Sequence, residues 1–208
     1  LEAGEGLEMK HHLTHRRARH LEAREELSSR DMQLLWRIES GSMRIDSIGE
    51  DGSLNFVRLA IAGDILGMEH VAGLNESLLI RALVPVRLAP LNVVEAPQLM
   101  PLMLESLSKV HQRCREVVSM RTGAVEDRIK RLLRILSVVE ANSDVSATCN
   151  LPSLGNIAEI IHSTPETVCR VLASLRKQHV LEKTTPTNIR SKGLDFHQHR
   201  VATHALAA

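Results

Sequence analysis

Tyrosine is missing from the 208-residue chain, and Trp36, Phe56 and Phe196 are its only aromatic residues. That argues against the stacking platforms on which single-stranded nucleic acids are held. The three cysteines, Cys114, Cys149 and Cys169, form no CxxC pair and are odd in number. This speaks against a disulfide framework and against an iron–sulfur or zinc cage, so reduced thiols are expected and no metal site is assigned. Long apolar runs are also missing: stretches such as Leu78-Leu79-Ile80 fall far short of a membrane span, and the N-terminus has no apolar signal core. A cytoplasmic protein without a membrane partner is expected. Net charge is nearly absent, with 26 Lys and Arg against 25 Asp and Glu. No global basic field announces a nucleic-acid partner, and any such site must be local. Nor is there a nucleophile–base pair, a phosphate-cradling Gly loop or an HExxH, so no enzyme is expected.

What is present falls into segments. Residues 1–20 are polar and rich in His and Arg, including His11, His12, His15 and His20, and lack apolar periodicity. They read as a mobile or loosely docked tail. From there to about residue 96 the sequence alternates short, strand-length apolar runs with Gly punctuation, among them LLWRIESG, LNFVRLAIAGD and SLLIRALVPVRLAPL, and GEDG at Gly49 to Gly52 suits a hairpin turn. The pattern predicts a β-roll or sandwich over 21–96. Between 97 and 122 the period changes: Leu99, Met103, Leu107, Val110, Cys114, Val117 and Met120 step by three or four along one long helix. Either a second copy of the chain packs on that stripe, giving a homodimer, or the helix covers its own β-roll; its length favours the first.

A further helix begins near Ala124, and ANSDVSATCN reads as a loop. Beyond it, LPSLGNIAEIIHSTPETVCRVLASLRKQHVLEK holds two short helical patterns with a tight junction at HST. Thr164 suits an N-cap, Pro165 the first helical position, and Val168, Val171, Leu172 and Leu175 an inward face. Glu166, Cys169 and Arg170 then point outward near the N-terminus of the second helix, the placement a helix-turn-helix uses to read base edges. Arg170 suits the N7 and O6 of guanine and Glu166 the N4 amine of cytosine. Ser163, Thr164, Thr167, Arg176 and Lys177 are available for phosphates. VLEKTTPTNIRSKG reads as a short hairpin carrying Lys183 and Arg190 toward the backbone, which would complete a winged helix over 123–192, followed by a tail over 193–208. The competing reading of Glu166 and Arg170 is a surface ion pair worth roughly 0.3–0.5 kcal/mol.

PETVCRVLASL resembles the recognition helix of the Crp/Fnr superfamily of bacterial transcription regulators, whose pattern is E-T-(V/I/F)-(S/G)-R. IESGSMRI and LAIAGDILG are similar to the family's I-x-x-G-x-(V/I)-(K/R) and G-D-(L/F)-(I/V)-G. The resemblance covers roughly residues 21 to 192. It implies an α+β chain with an N-terminal β-roll (a cyclic-nucleotide-binding-like jelly roll), a long dimerisation helix and a C-terminal winged helix-turn-helix. It further implies a homodimer on a two-fold-symmetric site in double-stranded DNA, and RNA polymerase as a partner. Glu166 and Arg170 match the family's base-reading acid and arginine. Cys169 stands where the Fnr-like branch often has Ser and the cyclic-AMP branch Gly, which favours an Fnr- or Dnr-like half-site similar to TTGAT.

The chain departs from the family where His162 replaces the Gly usual at the turn, so a less tightly wound junction is expected. It departs again at the effector cassette G-E-(x)n-R-(S/T)-A. Met68 follows the Gly, Glu69 is displaced by one, and Glu76-Ser77 stands where Arg-Ser is expected. A carboxylate at the phosphate position repels a cyclic nucleotide, so none is expected as effector. The N-terminal Cys cluster of iron–sulfur members is absent. Haem on His11, His12, His15, His20 or His70 stays open as a cofactor, and Cys169 beside Arg170 is a candidate thiol switch. The alternative function is a haem- or metal-binding β-roll sensor whose C-terminal helices mediate protein association rather than DNA binding.

Overall fold

The computed structural model describes residues 17–74, 77–91, 96–139, 146–183 and 188–192. The first 16 residues of the N-terminal tail, the C-terminal tail and Glu76 of the expected effector pocket lie outside the described residues, and with them His11, His12 and His15. In chain order the N-terminal half runs β1 (Arg19–Leu21), α1 (Ser29–Met32), β2 (Trp36–Ser40), β3 (Ser42–Ile48), β4 (Leu54–Ile61), β5 (Ile65–Leu66), α2 (Met68–Val71), β6 (Leu78–Ala82) and β7 (Val86–Pro90). β1-β7-β2-β5 form one antiparallel sheet and β4-β3-β6 another. Trp36, Ile38, Met43, Ile45, Ala60, Leu66, Ile80 and Leu88, drawn from the strand-length apolar runs of the sequence, belong to one buried cluster. Two glycines are compulsory. Gly41 turns β2 into β3 at φ +87, where a Cβ would lie 2.2 Å from the Pro85 carbonyl oxygen. Gly67, at φ +86, would bring a Cβ to 2.1 Å from the Leu34 carbonyl oxygen. The turn at Gly49 to Gly52 joins β3 to β4 as expected, with the Gly52 N–H donating to the Gly49 carbonyl at 2.9 Å.

α3 (Ala96–Met120) is the long helix. Its apolar residues do not form the single stripe expected from spacing. Leu99, Leu102 and Met103 pack on Leu35, Ile65 and Met68 of the N-terminal half, and Val117 and Met120 pack toward the C-terminal cluster. Leu107 and Cys114 instead face outward. A drift of one position in the chosen stripe mixed two faces roughly 100° apart on a 3.6-residue helix. Polar bonds fasten the inner face: buried Arg113 donates from Nε to Asp64 at 2.8 Å and from Nη1 to Glu116 at 2.8 Å, while Arg37 donates to Glu105 at 2.7 Å.

The rest of the chain forms α4 (Val125–Leu136), β8 (Val138–Val139), β9 (Ser146–Asn150), α5 (Leu154–Ile160), α6 (Pro165–Lys177), β10 (Leu181–Lys183) and β11 (Asn188–Lys192). The strands pair in the order β10-β11-β9-β8. Part of the stretch expected to be a loop is therefore a strand: Ser146–Asn150 pairs with β11, and Cys149 is buried opposite Ile189. Its small polar residues carry little strand signal, and the ladder to β11 supplies what propensity does not. Ile129, Leu132, Leu133, Ile157, Ile160, Val168, Leu172 and Leu175 share one apolar cluster with Leu59 and Leu83 of the N-terminal half. The two halves are packed against one another through it.

Candidate nucleic-acid interface

Local sequence dictates where α6 begins and which way it faces. Thr164 has extended backbone (φ −101, ψ 150), its hydroxyl accepts from the Thr167 N–H at 3.3 Å, and Pro165 takes the first turn where its missing N–H costs nothing. Val168, Leu172 and Leu175 are fully buried beneath. Glu166, Cys169, Arg170, Arg176 and Lys177 are consequently exposed, as is Thr164, while Ser163 and Thr167 around the cap are half-buried. Glu166 and Arg170 do not form the i, i+4 ion pair that their spacing allows; Arg170 instead leans 3.4 Å from the Thr167 hydroxyl, which itself accepts from Thr164 at 3.0 Å. Both charged side chains are thus presented to solvent on the outer face of one helical turn. Lys183 and Arg190 lie on β10 and β11, which pair antiparallel with Glu182 opposite Arg190, so the expected hairpin is present at backbone level.

The junction between α5 and α6 is tight despite the histidine. His162 itself takes the left-handed conformation at φ +55, and the Ser163 N–H donates to Ala158 at 2.8 Å. The expectation of a looser turn is corrected: a residue with a Cβ adopts the glycine conformation at a cost on the order of 1 kcal/mol. Part of the compensation comes from residues that sequence reasoning did not single out. Arg128 of α4 donates to the carbonyls of Ile161 at 3.0 Å and His162 at 3.1 Å, and Arg121 donates to that of Ile160 at 3.2 Å. These guanidiniums satisfy the carbonyls left over at the end of α5. Their only sequence signal was a pair of arginines flanking the start of α4.

Beside α6 is a cleft of about 470 Å³, lined by Ala23, Arg24, Leu83, Leu154, Cys169 and Arg176 among others. Cys169 and Arg176 of α6 therefore look across at the Ala23–Arg24 turn of the N-terminal half. The thiols differ in kind: Cys114 and Cys169 are exposed, whereas burial pushes the Cys149 thiol up to about 12.

The expected effector pocket is not assembled in this way. Met68 is buried against Leu35, Ile65 and the start of α3, so it is core and not lining. Glu69 accepts from the buried Arg58 at 2.8 Å, a partner the sequence reading did not foresee. Ser77 is exposed, and its carbonyl accepts from the Ile48 N–H at 2.8 Å. Among the described residues, no group of three or more His, Cys, Asp or Glu of one chain stands ready to hold a metal ion. No described helix is long and apolar enough to cross a membrane.

No family model and no curated protein sequence matches the chain. Solved structures do. A CRP-family transcriptional regulator of Thermus thermophilus, TTHB099, superposes with a TM-score of 0.64 at 22% identity, over 86% of this chain and 93% of that one. FixK2 of Bradyrhizobium japonicum gives 0.63 at 18% identity, over 88% and 96%. The global regulator CLP of Xanthomonas campestris gives 0.58 at 19% identity, over 85% and 94%. The chain thus shares the α+β fold of the CRP/FNR-type transcriptional regulators along most of its length.

Proposed function

We propose that the chain is a sequence-specific DNA-binding transcription regulator without catalytic activity, acting in the cytoplasm as a homodimer on a palindromic, TTGAT-like site. In this reading residues 123–192 are a winged helix-turn-helix, 97–122 the dimerisation helix and 21–96 a β-roll sensor. RNA polymerase is the expected protein partner. One observation carries the reading: Glu166 and Arg170 are exposed and unpaired with each other on the outer face of a capped helix, with Cys169 exposed on its flank, while Val168, Leu172 and Leu175 are buried on the opposite face. A major groove admits such a helix, and an arginine with no carboxylate partner is available to a guanine edge.

The dimer has its own support in α3. Met100, Leu104, Leu107 and Val118 are 63%, 63%, 66% and 64% exposed, and with His111 and Cys114 they repeat every four and three residues. That is the seam of a two-stranded coiled coil. Burying the exposed two-thirds of these four apolar side chains in each of two copies contributes on the order of 10 kcal/mol, comparable with the cost of association. The signal is a separate matter: Met68 fills the core and Arg58 holds Glu69, so the cassette region is not preformed for a cyclic nucleotide.

The test is a mobility-shift titration with a TTGAT-palindrome duplex. Arg170→Ala is expected to cost about 1–3 kcal/mol, roughly ten- to hundred-fold in affinity, and to relax the base preference at one position of each half-site. Unchanged affinity and preference would sink the assignment.

A further inference from the structure

We propose that the α3 seam holds a divalent transition-metal ion of the zinc type, bound by His111 and Cys114 of two copies of the chain. The inference rests on the homodimer reading and deepens it, because neither copy alone supplies more than two ligands. The seam residues Met100, Leu104, Leu107, His111, Cys114 and Val118 are all exposed and follow a 4-3-4-3-4 spacing. Four are apolar; the two that are not are adjacent along the seam, at i and i+3. Neither the His111 nor the Cys114 side chain has a hydrogen bond or ion pair to another described residue.

An imidazole at a coiled-coil core position is costly unless its nitrogens find partners, and a thiol beside it does not supply them in a dry seam. A metal ion removes that cost. Parallel two-fold pairing brings both copies of His111 and of Cys114 to the axis, in two layers about 4.5 Å apart along it. A tetrahedral ion between the layers takes two imidazole nitrogens at about 2.0 Å and two thiolates at about 2.3 Å, a Cys2His2 set. Ligands spaced i, i+3 and projecting inward from facing helices are an established way of building bundle metal sites. Each Cys114 thiol gives its proton to solvent as the Sγ lone pair goes to the metal, and each imidazole binds in its neutral form. Charge permits the parallel arrangement. The one ion next to the seam layers on the exposed flank, Arg115, falls opposite Val110 of the second copy, so no like charges meet.

The test uses the full chain, stripped of metal and kept reduced with a phosphine, titrated with Co²⁺ as the probe. Sedimentation velocity counts the chains. The readout is the near-ultraviolet thiolate-to-cobalt charge-transfer band, which the tail histidines cannot produce. We expect the band to saturate at one Co²⁺ per two chains, to bleach on adding Zn²⁺, and to vanish in both His111→Ala and Cys114→Ser while those variants still sediment as dimers. A dimer without the band, a band that survives in His111→Ala, or one ion per chain would overturn the metal site and leave the dimer standing. A monomer at every concentration would overturn both.

Discussion

Arg44 of β3 donates through Nη1 to Glu159 of α5, joining two elements 115 residues apart in sequence. The arginine is almost wholly buried at 3% side-chain exposure, whereas Glu159 is 62% exposed. The same guanidinium donates from Nε to Asp46 at 3.1 Å and from Nη1 to Asn156 at 3.1 Å, and lies 5.7 Å from the centre of the Phe56 ring. Burial pulls the Arg44 pKa down, but its bonds to Asp46 and Glu159 more than offset this and leave it raised. Arg121 stacks on the same ring at 5.3 Å and donates to Ile160. The helix that precedes α6 is therefore held to the N-terminal half by a cation shared between a buried and an exposed carboxylate. α5 shares its apolar cluster with Val168, Leu172 and Leu175 of α6, so the tie joins β3 to the element on which α6 packs.

Removing either end of this tie has unequal costs. Arg44→Met strips the counter-charge from Asp46, which is fully buried and whose Oδ2 already has no hydrogen-bond partner. A loss of about 3–5 kcal/mol is expected, as when one member of a buried pair is removed. Glu159→Gln breaks only the solvent-screened arm and costs about 0–1 kcal/mol. Urea midpoints of the two variants and of the double variant measure this. Equal, small losses would mean that Asp46 finds another cation, with Arg81, 3.9 Å away, the candidate.

Acid should weaken the seat of α3. Glu105 accepts from Arg37 at 2.7 Å and from Lys109 at 2.9 Å. The Arg37 bond is the main reason its pKa falls to about 2, with burial opposing and Lys109 assisting. Because the folded value lies below the ordinary carboxylate value of 4.5, the stabilisation is complete above that pH and is lost as pH falls toward 2. With both partners partly exposed, a contribution on the order of 2 kcal/mol is expected. Thermal melts between pH 5 and pH 2 should fall more steeply for the native chain than for Glu105→Gln; parallel curves would remove Glu105 from the account.

How far the sequence spoke depended on how local the signal was. The cap at Thr164, the proline after it and the inward Val168, Leu172 and Leu175 are close neighbours in the chain, and α6 follows them directly. Gly41 and the turn at Gly49 to Gly52 punctuated the strands for the same reason. α3 was legible as a helix but not in its rotation. Leu107 and Val110 are equally apolar, and only packing against Leu35, Ile65 and Met68 decides which side of the helix turns inward. The strand at Ser146–Asn150 depends on β11, far later in the chain, and the Arg44–Glu159 tie spans still more of it. Contacts of that range leave no period in the sequence.

The three cysteines give the last prediction, because their surroundings rank their reactivity toward an alkylating reagent in the reduced, native protein. Cys149 is 2% exposed and its thiol is pushed up to about 12, so it is protonated at neutral pH and should react only on unfolding. Cys169 is exposed on the outer face of α6 and borders the cleft next to Arg176, so it should react first. Adding bulk there obstructs the surface proposed to enter the major groove, and DNA retention should fall in step with its modification while the melting curve stays unchanged. Cys114 is exposed in a single chain but lies on the proposed coiled-coil seam, so dimerisation should protect it and dilution should restore its reactivity. Peptide mapping by mass spectrometry after timed alkylation separates the three rates. Cys114 reacting as fast as Cys169 in a sample that sediments as a dimer would place the dimer contact elsewhere and remove the basis for the metal site.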